Sequence, residues 1–454
     1  MHPTLVNRVI FPLHERLKGK PTHRYLRALE ESQWLGHDAV RELQLRRLRE
    51  HLAFAYREVP YYTRLLDEHE LPPRRVQSLE DFARIPMLTK DIIRSHFDEL
   101  QPGTRIRGTQ RVSTGGSTGT PVTVLVDPRR AALTDATRLR AHRWFGTDMG
   151  APEIVLWGSP IELGRQDRLR SVRDRLLNSR LLSAFDLGEG ALARYAEVLH
   201  RKRPRKLYGY ASALALLAGY LRRTGWRPDG AWPLAVYATA EPLYDFQREL
   251  ITSVFGCPVA AEYGCRDAGL VANECPAGTL HVPAEGMLVE TLRGPEGEDA
   301  RGELVVTNLF SYALPIIRYR TGDVGAPGPA ACPCGRGLPS LGAVEGRRTD
   351  FLVTPDGRVM HALAVIYVLR EVPAIRQFQV IQDQADRLTV RVVPAGEWSA
   401  PLARATAERV ARLFGDAVAV QVEAVDAISS PSGKHRYVIS RVADQHLADL
   451  AGVK

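Results

Sequence analysis

Three features of the chain predict an α/β protein with a large amino-terminal domain of mixed sheets flanked by helices and a small α+β carboxy-terminal domain. Short β-branched runs alternate with helical patterns through the middle, a hairpin-like texture takes over after Gly286, and a separate set of strands and a helix fills the tail. At 454 residues the chain is also too long for one ordinary core, so two or three domains are expected. We expect a large domain over 1–346, made of a helical arm over about 1–100 and a core over about 101–346, and a small domain over 347–454.

Taken in order, Met1–Ile10 is a weak apolar stretch interrupted by Asn7 and Arg8, without an export signal's small-residue cleavage site, and reads as a surface arm or short helix. From Leu26 to Arg57, apolar positions such as Leu45, Leu48 and Leu52 recur at helical spacing among Arg and Glu, and Val59-Pro60-Tyr61-Tyr62 stops that helix. Thr89 is placed to cap a helix reaching Ser95. Val122–Val126, Ile154–Trp157 and Leu234–Tyr237 read as strands, and Ser212–Arg223 and Leu243–Phe255 as helices. The arginine-rich Leu163–Leu182 reads as a solvated helix, with a cover over the site or a contact for an anionic carrier as alternatives. Met287–Glu290 and Glu303–Thr307 form a hairpin pattern, so the sheet is expected to turn antiparallel there. The tail carries strands at Gln377–Ile381, Leu388–Val393 and Val418–Val425 and a helix at Leu402–Phe414.

Composition narrows the function. Hydrophobic residues make up 44% of the chain, enough for buried sheets, yet no run approaches the roughly 18 apolar residues of a membrane span, so a cytoplasmic protein without integral membrane contact is expected. The formal charge of +9 comes from arginines spread along the chain, which argues against nucleic-acid binding. Five cysteines are an odd number and too few for a disulfide scaffold, leaving metal binding or packing.

The most informative stretch is Ser113 to Pro121, Ser-Thr-Gly-Gly-Ser-Thr-Gly-Thr-Pro, where small hydroxyls and bare backbone would close around an anion such as a phosphate. A plain turn is the alternative. Gly119 is followed by Thr120-Pro121, so the loop lacks the lysine of a P-loop and needs a cation from elsewhere, either Mg²⁺ or a lysine. Lys434, displayed after Ser430-Pro431-Ser432-Gly433, is one candidate. Asp323, directly after Gly322 on a tight turn, suits a ribose diol, because one carboxylate accepts two hydroxyls. Segments 238–243 and 262–267 offer an aromatic face for a purine and an acidic group for Mg²⁺. Cys275, His281, Cys332 and Cys334 would complete a closed tetrahedral Zn²⁺ site, against the alternative of buried unliganded thiols, and Cys257 and Cys265 read as packing residues.

In this order the motifs resemble the adenylate-forming enzymes, the superfamily of acyl-CoA synthetases, peptide-synthetase adenylation domains and luciferases. The chain is most similar to the phenylacetate–CoA ligase branch, with its capsular-polysaccharide-type and coenzyme F390 synthetase-like relatives. The resemblance spans nearly the whole chain, including Val59-Pro60-Tyr61-Tyr62 and Pro86-Met87-Leu88-Thr89-Lys90. It implies that Thr114, Gly115, Gly116, Ser117, Thr118 and Gly119 hold the β- and γ-phosphates of ATP, that Ala240 and Glu241 line the adenine, and that Tyr263 stacks on it. It further implies Asp323 on the ribose, Arg347 near the nucleotide, and Asp267 near Mg²⁺ where the family usually has the longer Glu. Asp350 would be the hinge of a mobile carboxy-terminal lid, and Lys434 the catalytic lysine. By analogy Trp144 and Tyr210 would line the acid pocket.

The implied reaction is activation of an aryl or otherwise hydrophobic carboxylic acid by ATP, giving an acyl-adenylate and pyrophosphate, followed by transfer to coenzyme A. Mg²⁺ and Lys434 would neutralise the approach of carboxylate to α-phosphate. The alternatives are transfer to an amine, a hydroxyl or a carrier-protein thiol, and a non-catalytic nucleotide-binding scaffold. The expected partners are a small-molecule acid and a nucleotide, with a carrier protein and a homodimer through the amino-terminal helices as further options.

Overall fold

In the computed structural model of the protein, the described residues are 1–114, 122–157, 167–184, 187–293, 301–345, 351–356, 359–415, 418–428 and 437–442. The strands, in chain order, are β1 Gln110–Thr114, β2 Val122–Val126, β3 Glu153–Trp157, β4 Ser179–Ser183, β5 Lys206–Tyr210 and β6 Ala235–Thr239. They continue with β7 Val259–Cys265, β8 Gly269–Glu274, β9 Leu280–His281, β10 Met287–Arg293, β11 Gly302–Asn308, β12 Ile316–Pro327 and β13 Ser340–Glu345. The tail adds β14 Phe351–Val353, β15 Val359–His361, β16 Ile375–Gln384, β17 Arg387–Pro394, β18 Ala419–Ala424 and β19 Val438–Ser440.

One sheet of eleven strands organises the large domain, in the order β10-β11-β12-β13-β9-β8-β7-β6-β5-β3-β4. From β4 to β7 all neighbours are parallel. The helices Glu189–Lys202, Ala211–Arg223 and Asp245–Phe255 make the crossovers that parallel pairing requires. These strands are apolar on both faces, as in β6, where all five residues are buried, because helices pack on the sheet. From β7 through β8 and on to β10 the pairing is antiparallel. The reversal comes earlier than the sequence suggested, since only Arg266, Asp267 and Ala268 separate β7 from β8, too few for a crossover.

The amino-terminal region is helical, and the expected long helix is two. Thr22–Ser32 and His37–Glu58 are separated at Trp34-Leu35-Gly36, with Gly36 as the N-cap of the second. Val59 ends that helix, and Pro60 also starts the next, Pro60–Glu68, as its first residue, where a missing N–H costs nothing. These helices bury Leu48, Leu52, Tyr62 and Leu66 against the β1–β2 hairpin and the antiparallel half of the sheet, including Val124, Leu304 and Tyr319. A second core fills the parallel half around Leu156, Leu207, Leu214, Val236 and Ile251.

The tail is a four-stranded sheet, β18-β17-β16-β19, covered by the helices Leu363–Arg370 and Ala400–Ala411. Its own core holds Phe378, Val380, Leu388, Val390, Val410 and Phe414. Val353 and Val442 instead pack with the core of the parallel half, so the tail is seated on that side of the large domain. Among the described residues no helix is long and apolar enough to cross a membrane.

Candidate active site

In an open α/β sheet the carboxyl ends of parallel strands, where the chain leaves for its helices, form a natural ligand crevice. A cavity of about 670 Å³ opens there, beyond the ends of β6 and β7. Ala240, Glu241, Tyr263, Asp267 and Asp323, five residues singled out from the sequence, line it together, joined by Lys90.

Each is positioned by local structure. Ala240 follows β6 at φ 66°, a left-handed conformation that a non-glycine residue rarely takes, and so turns the chain sharply at the cavity rim. The Glu241 carboxylate accepts from the Ser212 backbone N–H at 3.1 Å and from its hydroxyl, which ties the rim to the start of the helix Ala211–Arg223. Tyr263 and Asp323 meet across the cavity, the phenol donating to Asp323 Oδ2 at 3.0 Å. Burial, reinforced by that carboxylate, pushes the Tyr263 phenol well above its ordinary range, so it stays a donor at all physiological pH. Where the sequence suggested a tight turn, Gly322 and Asp323 lie inside β12, at the bulge between Arg320 and Val324, and Gly322 at φ 76° makes the irregularity that presents Asp323.

Asp267 sits in the tight β7–β8 turn and is 5% exposed. Its carboxylate accepts the Tyr319 hydroxyl and lies 4.0 Å from Lys90 Nζ. Arg130 holds the turn by donating to the Asp267 carbonyl at 2.7 Å. Lys90 comes from a remote segment that is stitched to β12: Leu88 N–H donates to Arg318 O at 2.9 Å, and Arg320 N–H returns a bond to Leu88 O at 3.0 Å. Thr89 then caps the short helix Lys90–Ser95 as its sequence suggests, its hydroxyl accepting from Ile92 N–H. Lys90 was quoted inside a sequence motif without a role, and Tyr319 was not singled out. Their signal was position beside Thr89 and before Asp323.

Glu262 lines the cavity from the neighbouring position on β7 and is almost fully bonded. It accepts from Arg138 Nε at 3.0 Å and Nη2 at 3.2 Å, from the Tyr208 hydroxyl at 2.8 Å and from Thr239 at 3.1 Å. This wall was not foreseen, because its three partner residues come from three different elements. Nearby, at the carboxyl ends of β3 and β5, Trp157 stacks on Tyr210 with ring centroids 4.1 Å apart and planes at 15°.

The two expected pocket residues are placed elsewhere than on this cavity. Tyr210 is 4% exposed beneath Trp157. Trp144 ends the helix Pro128–Arg143, and its indole N–H donates to Gln33 at 2.8 Å with the Arg336 guanidinium 4.5 Å from its ring centre. These contacts place it between the amino-terminal helices and the loop before β13.

Thr114 is the last residue of β1, its backbone paired with Val122, so it closes the β1–β2 hairpin. Arg266, on the cavity wall, brings Nη1 within 3.5 Å of Ser113 O. Gly115, Gly116, Ser117, Thr118, Gly119, Arg347, Asp350 and Lys434 lie outside the described residues.

The four cysteine and histidine positions converge. The donor atoms of Cys275, His281, Cys332 and Cys334 all lie within 4.8 Å of one another. Cys275 and Cys332 sulfurs are 3.7 Å apart, and Cys334 Sγ is 3.2 Å from His281 Nε2. Tetrahedral ligation with Zn–S bonds of about 2.3 Å puts two sulfurs about 3.8 Å apart, so the spacing suits zinc. His281 Nδ1 lies 3.2 Å from Leu338 O, which can only accept, so Nδ1 carries the proton and Nε2 turns its lone pair to the cluster. Burial lowers the His281 pKa, favouring the neutral ligand form. Burial pushes the Cys275 thiol up to about 11, while Cys332 lies below an ordinary thiol because its hydrogen bonds with Thr279, Cys334 and Cys275 outweigh its burial. Thr279 also lines the cavity, so the cluster backs one of its walls. The loop carrying Cys332 and Cys334 leans on the amino-terminal helices, where a side chain at Gly337 would meet Leu35 O at 1.8 Å.

Comparison with known proteins places this geometry. Residues 352–441 match the family model of the CapK C-terminal domain. The chain is 26% identical over 366 residues to a phenylacetate-coenzyme A ligase of Thermus thermophilus, covering 76% of this chain and 78% of that protein. It is 23% identical over 414 residues to protein CapK of Staphylococcus aureus, covering 88% and 89%. Among solved structures, a 2-hydroxyisobutyryl-CoA ligase in complex with 2-HIB-AMP and CoA superposes with a TM-score of 0.60 at 20% identity, covering 94% of each chain.

Proposed function

This chain belongs to the adenylate-forming superfamily, on its phenylacetate–CoA ligase and CapK-like branch, and from that premise we propose that it is an AMP-forming acid–thiol ligase. It activates a carboxylic acid with ATP, releases pyrophosphate, and passes the acyl group from the adenylate to coenzyme A. The observation that carries this reading is the pairing of Tyr263 with Asp323 in a cavity at the carboxyl ends of the parallel strands. A carboxylate fixed by one phenol retains acceptor capacity for the two hydroxyls of a ribose. The relatives named phenylacetate-coenzyme A ligase and the ligase structure with an acyl-AMP and CoA support the same reaction class.

In this reading Ala240 and Glu241 form the edge of the adenine site and Tyr263 its face, while Thr114 to Gly119 hold the β- and γ-phosphates, with Arg347 also near the nucleotide. Lys90 adds a cation to the same cavity, which compensates for the missing lysine of the glycine-rich loop. Asp267 suits Mg²⁺ through its carboxylate, and its bonds to Tyr319 and Lys90 orient that group. The acid's tail is aryl-sized or otherwise hydrophobic, a reading supported by the Trp157–Tyr210 stack at the ends of β3 and β5. Lys434, carried by the domain 347–454 and swung about Asp350, bridges carboxylate and α-phosphate in the first half-reaction. Its withdrawal opens the path of the thiol. Zinc held by Cys275, His281, Cys332 and Cys334 is structural, since four protein donors leave no open position.

A second reading keeps the adenylation and changes only the acceptor. An amine, a hydroxyl or a carrier thiol would then replace coenzyme A. The test is pyrophosphate release over a panel of aryl and aliphatic acids, with and without coenzyme A, together with ATP–pyrophosphate exchange. Lys434→Ala is expected to lower exchange at least about 100-fold. Exchange that survives this change, or no ATP cleavage with any acid, overturns the assignment. Turnover with acid but no thioester product selects the second acceptor.

A further inference from the structure

The first turns of the chain form a helical arm that the nucleotide site does not use. Pro3–Leu5 and Phe11–Leu17 are α-helical, and Val6–Ile10 between them is a π turn. One side of the arm is packed through Val6, Phe11 and Glu15. Along the other, Met1, Leu5, Val9, Leu13 and Leu17 are spaced by four residues and are 53, 47, 53, 56 and 80% exposed. A step of four overshoots an α turn of about 3.6 residues, whereas the wider π turn takes more residues per turn, so the π segment counters the drift and keeps the stripe on one side.

A second helix extends the patch. Asp167–Leu176 exposes Val172 and Leu176, and it is fastened to the arm by Asn178, whose amide donates to the carbonyls of Met1 and Gly150 at 2.8 Å. The exposed charges on the arm itself have one sign. Arg8, Arg16, Lys18 and Arg175 are exposed. The arm's one acid, Glu15, is buried and taken up by Thr22 and His14, and Asp174 is paired with Arg173. No described residue covers the stripe.

We propose that this arm is an interfacial anchor that seats the protein on an anionic lipid surface, with the leucine stripe at the acyl boundary and the basic rim on the headgroup phosphates. An amphipathic helix with apolar residues on one side and arginine and lysine beside them binds such surfaces by apolar burial and charge attraction together. A second copy of the chain fits less well. A two-fold contact lays the same patch on itself, bringing Arg8, Arg16 and Lys18 against their mates with no exposed acid on the arm to pair them. The anchor lies on the membrane and does not span it.

The test is co-sedimentation of the full chain with vesicles of phosphatidylcholine alone or containing about 30% phosphatidylglycerol, at low and high salt. Binding is expected to be at least about tenfold stronger on the anionic vesicles at low salt, and to fall with salt. Val9→Glu with Leu13→Glu is expected to abolish it, and Arg8→Glu with Arg16→Glu to weaken it at least about tenfold. All four positions are exposed and outside the nucleotide site, so unchanged melting and ATP–pyrophosphate exchange certify the variants as folded. Wild-type protein that ignores anionic vesicles overturns the proposal, as does equal binding by the Val9→Glu, Leu13→Glu variant. A dimer in solution that this variant dissociates, without vesicle binding by the wild type, assigns the stripe to a second copy instead.

Discussion

The hydrogen bond from Tyr263 to Asp323 is the most specific contact in the cavity, and its value is orientational. Tyr263→Phe keeps the ring that the proposed function sets against the adenine and removes the phenol bonded to Asp323. Loss of a hydrogen bond to a charged group is worth about 1.5 kcal/mol, so KM for ATP is expected to rise roughly tenfold with kcat little changed, as steady-state kinetics will show. A different residue governs stability. His51 is wholly buried against Phe54 and Tyr312, and neither ring nitrogen has a hydrogen-bond partner among the described residues. Burial alone drives its pKa down to about 3. The unfolded chain therefore takes up a proton near pH 6.5 that the folded chain refuses, and the stability held above that pH is lost as pH falls toward 3. Between pH 7 and pH 5 the loss is about 2 kcal/mol. His51→Leu is expected to flatten this slope in denaturant titrations at the two pH values, and an unchanged slope would refute the assignment.

Elements meet in the cavity because connections decide where their ends fall. Three residues between β7 and β8 force an antiparallel return and drop Asp267 into the crevice, while the Leu88 bridge to β12 delivers Lys90 from the helical region. The cysteine and histidine cluster works at the same scale. Cys275 and His281 flank the β8–β9 connection, and Cys332 and Cys334 belong to the β12–β13 connection, so one ion would pin two loops that both reach the cavity wall. Purified protein is expected to carry about one zinc per chain by elemental analysis. Cys332→Ala is expected to lose the metal and several degrees of melting temperature. Metal-free protein that melts at the same temperature would leave four thiol and imidazole groups with a packing role only. The sequence was enough to group all four residues, which the fold brings together, because residue type restricts what they do. The contacts of Trp144 were not legible in the same way, since an indole serves packing and stacking equally well and its neighbours Gln33 and Arg336 are remote in the chain.

At the scale of the molecule, two large cores and a small cluster of Ala235, Tyr237 and Ala260 share one sheet, and a further core belongs to the tail. A chain ending at residue 346 keeps both cores of the large domain apart from the contacts of Val353 and Val442. It is expected to bind a non-hydrolysable ATP analogue by calorimetry within about tenfold of the full chain, since the cavity residues precede the cut, and to exchange no pyrophosphate, since Lys434 is gone. Exchange by the truncated chain would remove the lid from the mechanism. The alternation of strand and helix, the hairpin texture and the tail were legible in the sequence because they depend on periodicity within a few residues. So were the place of Asp323 on the cavity and the grouping of Cys275, His281, Cys332 and Cys334, whose residue types already restrict their chemistry. The partners of Glu262 and Asp267 were not, because Arg138 lies 124 positions from Glu262 and Tyr319 lies 52 from Asp267. Contacts at such separations are set by strand register and by which face of a helix packs down, and those are decided only when the whole sheet assembles.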